Sequence, residues 1–275
     1  MARESLDPIR KSYVDTAYGQ VHVRVAGPDD GRPLVLVHWT PASGRMWSAA
    51  ALLFASAGRH VIMPDLLGYG RSDPRPQDWS MSQWADSILQ LVTGLGIEGF
   101  DLVGGHNGAS VAAEIAIAAP ERVSRLVLDG CAILTPELRV AFAKLAASDR
   151  PKPDQPGVER LAWDRALGVL KEYRPGFVLN DRTIEQVWPL MLDYLETDFV
   201  SSALVGSKYD LAERLPMIKA PLLIMAATTD PLFEGSRQAM AIRPDAATYI
   251  FEGDHPIHEV DEAASFVRPV LGFLA

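Results

Sequence analysis

The chain holds one cysteine, Cys131, among 275 residues. No disulfide can form within it, so the fold must rest on a buried apolar core rather than on covalent staples. Positive charge is in deficit: 26 Lys and Arg stand against 35 Asp and Glu, a formal net charge of −9. With no basic run, the chain lacks the electrostatic footprint of a surface for nucleic acid or for an anionic membrane. No apolar run approaches the ~20 residues that span a bilayer, and residues 1–8 carry no apolar signal core. His and Cys are not spaced as metal ligands, which argues against a metal site, and no cofactor motif stands out. Internal repeats and low-complexity segments are missing as well. These absences imply a soluble, cytoplasmic protein whose partner is a small-molecule substrate, and they are compatible with a homodimer. The abundance of Ala, and of Arg over Lys, fits a bacterial chain.

What is present is apolar and regularly punctuated. Hydrophobic residues make up 48% of the chain, with 21 Gly and 20 Pro. That length and composition suit one large α/β domain carrying an insertion. Residues 13–26 alternate about the turn signal Tyr18-Gly19 and predict a β-hairpin. Short apolar runs at 33–38, 100–103 and 123–128 predict buried strands, and those at 60–64, 221–226 and 248–251 predict further strands. Helical patterns lie between them: 47–57, a segment N-capped by Ser80 with Trp84, Ile88, Leu91 and Val92 on one face, an Ala-rich run ending at Pro120, and 261–274. Strands alternating with helices imply a mostly parallel sheet covered on both faces. From about 132 to 206 the strand-like runs vanish and apolar residues recur at helical spacing, so this stretch reads as a helical insertion over the sheet.

The most informative stretch is Gly104-x-His106-x-Gly108, between a short buried strand and an Ala-rich helix. Glycines two before and two after a central residue, at a strand-to-helix junction, are the form of a nucleophile elbow. The central side chain is then presented at the top of the sheet. Here it is an imidazole.

With the elbow go Leu-Val-His38 and the later Trp47, the loop Pro64-Asp-Leu-Leu-Gly-Tyr-Gly-Arg-Ser-Asp73, the run Ala220-Pro-Leu-Leu-Ile-Met with Asp230, and Gly253-Asp-His255. In this order they resemble the α/β-hydrolase fold family of the lidded type, over nearly the whole chain. The resemblance implies a core of residues 1–131 and 207–275 with a helical lid at 132–206. It also implies a catalytic histidine at His255, after the last strand, and an orienting acid at Asp230, with Asp129 as the alternative seat. The usual elbow residue is Ser, sometimes Asp or Cys, so His106 departs from the pattern. The oxyanion hole is expected from the backbone N–H of Asn107 and one from the loop after His38. The family has Gly directly after that histidine; this chain has Trp39, which makes Thr40 the expected second donor and leaves the indole of Trp39 to narrow the pocket or offer its own N–H.

An imidazole at the elbow has three readings. It can attack a carbonyl directly, it can work with His255 to hold and deprotonate a water, or it can be a polar plug in a binding pocket. Cys131 is read as a small buried apolar residue and His258 as structural. Trp163, Tyr173, Phe177, Trp188, Met191, Tyr194 and Phe199 of the insertion either roof the cleft or form the lid's own core, and together suggest a small, partly apolar substrate. The implied activity is cofactor-independent hydrolysis of an ester, lactone or carbon–carbon bond. Lyase-type proton transfer and a catalytically silent receptor-like protein are the alternatives.

Overall fold

Apolar runs flanked by Gly and Pro become strands because both of their faces can be buried at once. The computed structural model describes residues 8–76, 78–146, 154–173, 176–181, 183–197, 205–253 and 260–275. The strands are β1 (Ile9–Thr16), β2 (Gly19–Ala26), β3 (Arg32–Val37), β4 (Arg59–Pro64), β5 (Phe100–Gly105), β6 (Val123–Asp129), β7 (Leu222–Ala227) and β8 (Ala247–Phe251). They form one sheet in the order β1-β2-β4-β3-β5-β6-β7-β8. The hairpin β1–β2 and the pair β2–β4 are antiparallel. Every pair from β4 to β8 is parallel.

The helices are α1 (Ser48–Ser56), α2 (Met81–Gly94), α3 (Asn107–Ala118), α4 (Pro136–Ala146), α5 (Val158–Tyr173), α6 (Ile184–Glu196), the single turn α7 (Leu211–Arg214), α8 (Phe233–Ile242) and α9 (Val260–Leu274). Ser80 caps α2 as the sequence predicts, its side chain accepting from the Gln83 N–H at 3.3 Å. One face of the sheet packs against α2 and α3 through Trp84, Ile88, Leu91, Val111 and Ile115. The other packs against α1 and α9 through Trp47, Phe54, Phe266 and Val270. Between β6 and β7 no described strand interrupts the stretch that carries α4, α5 and α6. A third apolar cluster joins Ala166 and Leu170 of α5 and Val187 and Leu190 of α6 to Trp39 and Ala42 of the core. Among the described residues no helix is long and apolar enough to cross a membrane.

Strand order reverses direction at β3, whose neighbours are β4 and β5. In an open parallel sheet such a point leaves a crevice at the carboxyl ends of the strands, where ligands bind. Trp39, His106, Gly130 and Asp230 all lie just past those ends, beyond β3, β5, β6 and β7.

Candidate active site

The elbow is as tight as its glycines suggest. β5 ends at Gly105, α3 begins at Asn107, and His106 between them sits at φ 49° and ψ −112°. A non-glycine residue held at positive φ costs roughly 1–3 kcal/mol and persists only where its surroundings impose it. Here they do. A Cβ on Gly104 would lie 2.3 Å from the Gly108 carbonyl oxygen, and one on Gly108 would lie 2.4 Å from that of His38. The helix therefore packs directly on β3 and β5. The His106 N–H donates to the Asp129 carbonyl (2.8 Å), and its own carbonyl accepts from the Ala109 N–H (2.9 Å).

The imidazole is 5% exposed and reaches across the top of the sheet to Asp230, also 5% exposed. His106 Nε2 lies 2.7 Å from Asp230 Oδ2. A carboxylate only accepts, so Nε2 is the donor in this contact. The other carboxylate oxygen, Oδ1, accepts from the Leu232 N–H at 2.7 Å, which fixes the carboxylate plane. The reach is possible because residue 130 has no side chain: a Cβ there would lie 2.2 Å from His106 Cδ2 and 2.7 Å from Nε2. Trp39 covers the ring, with centroids 4.6 Å apart and planes 49° apart.

The loop after β3 is held from several sides. His38 is fully buried; its Nδ1–H donates to the Trp39 carbonyl (2.8 Å) and its Nε2 accepts from the Leu66 N–H (3.0 Å). Burial pushes its pKa down to about 4, against the opposing pull of the Trp39 carbonyl, so it is neutral and structural near pH 7. The Thr40 hydroxyl pairs with the Tyr69 hydroxyl at 2.6 Å. Asp65, fully buried, accepts from Gly44 N–H (2.8 Å), Arg71 N–H (3.0 Å) and Arg24 (2.5 Å), and pairs with His22 Nδ1 (2.8 Å). Burial alone would raise this carboxyl, but the His22 hydrogen bond, the Arg24 cation and the Arg71 N–H outweigh it and hold it near 2. From the insertion, Asp193 of α6 accepts from Ser43 N–H (3.0 Å) and Ser43 Oγ–H (2.9 Å).

The structure brings His106, Asp230 and Trp39 together, with Asn107 at the first position of α3, where N–H groups have no carbonyl a turn earlier in the helix. The sequence pattern pairs Asp230 with His255; the partner described is His106 itself. His255 and His258 lie outside the described residues, as do Phe199 and the side chain of Tyr173. Asp129 is fully buried at the end of β6, in register with Gly105. Cys131 is fully buried, its N–H donating to Ser236 Oγ (2.8 Å), and burial raises its thiol far above the ordinary range, so it is no nucleophile here. Trp163, Phe177, Met191 and Tyr194 belong to the cluster that joins the insertion to Trp39, whereas Trp188 is 49% exposed and meets Trp163 edge to face. Among the described residues no group of His, Cys, Asp and Glu is arranged to hold a metal. Sequence reasoning missed Gly130, Tyr69 and Asp193. The glycine directly after a buried strand was the one available signal for the first; nothing local marks the others.

Residues 32–261 match the family model described as the alpha/beta hydrolase fold. Over 104 residues the chain is 40% identical to the 2-hydroxymuconate semialdehyde hydrolase of Pseudomonas putida, a match that spans only 37% of either chain. It is 30% identical over 285 residues to the 2-hydroxy-6-oxononadienedioate/2-hydroxy-6-oxononatrienedioate hydrolase of Paraburkholderia phymatum, covering 95% of this chain and 94% of that one. Among solved structures, the enol-lactonase from Burkholderia xenovorans superposes with a TM-score of 0.77 at 21% identity, covering 96% of this chain and 99% of that chain, a likeness of fold. The order of the strands, the elbow and these matches agree, and the chain belongs to the α/β-hydrolase fold family.

Proposed function

We propose that this protein is a cofactor-independent hydrolase of a small, partly apolar carbonyl compound, cleaving an ester, a lactone or a carbon–carbon bond, in which His106 works as a base oriented by Asp230. The observation that carries the reading is the 2.7 Å contact between His106 Nε2 and Asp230 Oδ2. A buried carboxylate on one ring nitrogen fixes the tautomer and stabilises the imidazolium that forms when the other nitrogen takes a proton. Nδ1 removes a proton from water as the water attacks the carbonyl carbon. The electron pair moves to the carbonyl oxygen, which is held by the Asn107 N–H and an N–H of the Trp39–Thr40 loop. Collapse of the adduct expels the leaving group, which takes the proton from Nδ1. The atoms balance as addition of one water across the cleaved bond. His255 enters this proposal only by its place after the last strand, as a second base for the leaving group.

The named relatives support the substrate class. Their names describe oxo and semialdehyde compounds, that is, carbonyl substrates for hydrolysis. The apolar cluster of Trp39, Phe177, Leu170 and Leu190 beside the elbow suits a partly apolar body.

The test is turnover of nitrophenyl esters and small enol lactones in ¹⁸O-water, by the wild type and His106→Ala. Product acid carrying ¹⁸O, lost with His106→Ala, is expected. Turnover without ¹⁸O in any product moves the reading to lyase-type proton transfer, and ligand binding without turnover moves it to a receptor-like role. A covalent adduct trapped on His106 would show that the imidazole attacks rather than serving as a base.

A further inference from the structure

Ser43 and Gly44 are neighbours in the loop that carries Trp39 and Thr40, and their N–H groups go to two different buried carboxylates. Gly44 N–H donates to Asp65 Oδ1 of the core (2.8 Å), and Ser43 N–H donates to Asp193 Oδ2 of helix α6 (3.0 Å). The Ser43 hydroxyl adds a second bond to Asp193 Oδ1 (2.9 Å). Asp193 is 2% exposed and lies 150 residues along the chain from Ser43. The same end of α6 makes two further contacts with the core: Thr197 Oγ1 donates to the Pro41 carbonyl (3.3 Å), and Glu196 pairs with Arg71 (3.0 Å). Trp39 and Ala42 complete the seam by packing against α5 and α6.

We propose that Asp193 is a positioning residue for the active-site loop: its two-point grip on Ser43 couples closure of the helical insertion, acting as a lid, to the placement of Trp39 and Thr40 beside His106. This rests on the reading of that loop as part of the site. The grip is specific because Ser43 has little room to move. A Cβ at Gly70 would lie 2.9 Å from Ser43 Cβ, and one at Gly44 would lie 2.7 Å from the Met63 carbonyl oxygen. The loop is pinned on its core side, and the lid carboxylate closes the other.

The grip is also linked to protons. Burial pushes the Asp193 carboxyl up to about 6, against the Arg45 cation (3.7 Å) and the Ser43 hydrogen bonds, which favour the charged form. The charged groups that face it are Arg45 from the loop and Asp65 from the core, the latter tied to Arg24 and His22, while Glu196 on its own helix is tied to Arg71. A carboxyl raised by burial binds its proton more tightly with the lid closed than with the lid open. Closure is therefore favoured by acid and weakened as pH rises through about 6. The protonated carboxyl still offers a C=O to the Ser43 N–H and an O–H to the Ser43 oxygen, so the contacts survive while the desolvation cost is removed.

The experiment is amide hydrogen exchange of the 38–47 segment between pH 5 and 8, corrected for the intrinsic pH dependence, beside kcat/KM on the same protein. Asp193→Ala should speed exchange of that segment by about tenfold to a hundredfold, the size of one hydrogen bond to a charged group. Ser43→Ala, a milder change, should fall between it and the wild type. Asp193→Asn keeps an acceptor for the N–H and a donor for the hydroxyl oxygen; it should restore protection and abolish its pH dependence across pH 6. Unchanged exchange at 38–47 in both Asp193→Ala and Ser43→Ala overturns the proposal. So does Asp193→Asn behaving like Asp193→Ala. If Asp193→Ala does not fold, Ser43→Ala and Asp193→Asn decide the question alone. Exchange is read without any substrate, so an inactive wild type refutes the hydrolase reading while the grip stands or falls by itself.

Discussion

Gly130→Ala separates the two things that glycine does at the end of β6. Its φ is +72°, where a side chain is strained, and a Cβ there would lie 2.2 Å from His106 Cδ2 and 2.7 Å from Nε2. Gly96 supplies the control within the same molecule: its φ is +73°, and a Cβ there would meet nothing within 4 Å. Gly96→Ala therefore reports the backbone strain alone, about 1–2 kcal/mol. Gly130→Ala adds the displacement of a packed ring, a further ~1–3 kcal/mol of overcrowding. The ring can relieve the clash only by leaving Asp230, because that neighbouring Cβ would sit against the edge that makes the 2.7 Å contact. A misplacement of about 1 Å in a catalytic group costs on the order of a hundredfold in rate. Urea midpoints and kcat/KM of the two variants beside the wild type make the assay. Gly96→Ala is expected to lose stability with full activity, and Gly130→Ala to lose more stability and about a hundredfold in rate. Equal stability losses, with Gly130→Ala retaining wild-type activity, would refute the argument that His106 needs that space to reach Asp230.

Asp230→Asn should lower kcat by about a hundredfold or more, since a carboxamide permits the wrong tautomer of His106, while Asp129→Asn should cost less; the reverse order would reassign the acid. His106→Ser should keep the fold, because the elbow depends on Gly104 and Gly108, and should hydrolyse a nitrophenyl ester faster than His106→Ala, with His255 as the base and Asn107 and the Trp39–Thr40 loop as the oxyanion donors; a folded Ser variant as inert as His106→Ala would refute that arrangement. Asp65 is held near 2, below its ordinary 3.8, so its stabilisation of the fold is present above pH ~4 and is lost as pH falls toward 2, about 2 kcal/mol in all. His38 is held near 4, below its ordinary 6.5, so its share is lost as pH falls from about 6.5 toward 4. Asp193 has the opposite sign and stabilises as pH falls through about 6, so Asp193→Asn should lose stability more steeply than the wild type between pH 6 and 4 in urea titrations.

The strands and the elbow were legible because their signals are local. A buried parallel strand must be an apolar run, and a strand–helix turn this close must carry glycine where Gly104 meets Gly108 and Gly108 meets β3. Boundaries moved by a few residues: β1 begins at Ile9 rather than Tyr13, and the run before α1 opens with a short turn, Gly44–Trp47. What stayed hidden depends on distance through space. Asp230 stood out by its place beyond β7, yet its contact with His106 spans 124 positions and needs the gap at Gly130. Asp193 sits in an amphipathic helix like any solvated carboxylate, and only the docking of α6 onto the 41–45 loop shows that it is buried.

An imidazole at the elbow changes what the fold asks of its other residues. In the serine pattern the hydroxyl is short, and a separate histidine must stand between it and the acid. Here the elbow side chain is long enough to cross Gly130 and meet Asp230 directly. The backbone strain at His106, φ 49° and ψ −112°, then serves the same end as in a serine elbow: it lifts the side chain off the helix axis and aims it over the strand ends. The cost is proximity. The ring centroid of Trp39 lies 4.6 Å from that of His106, at a position where the family pattern has a glycine. Under the proposed reading, a ring covered by Trp39 favours a base that acts through a small water over an imidazole that must itself reach the carbonyl carbon.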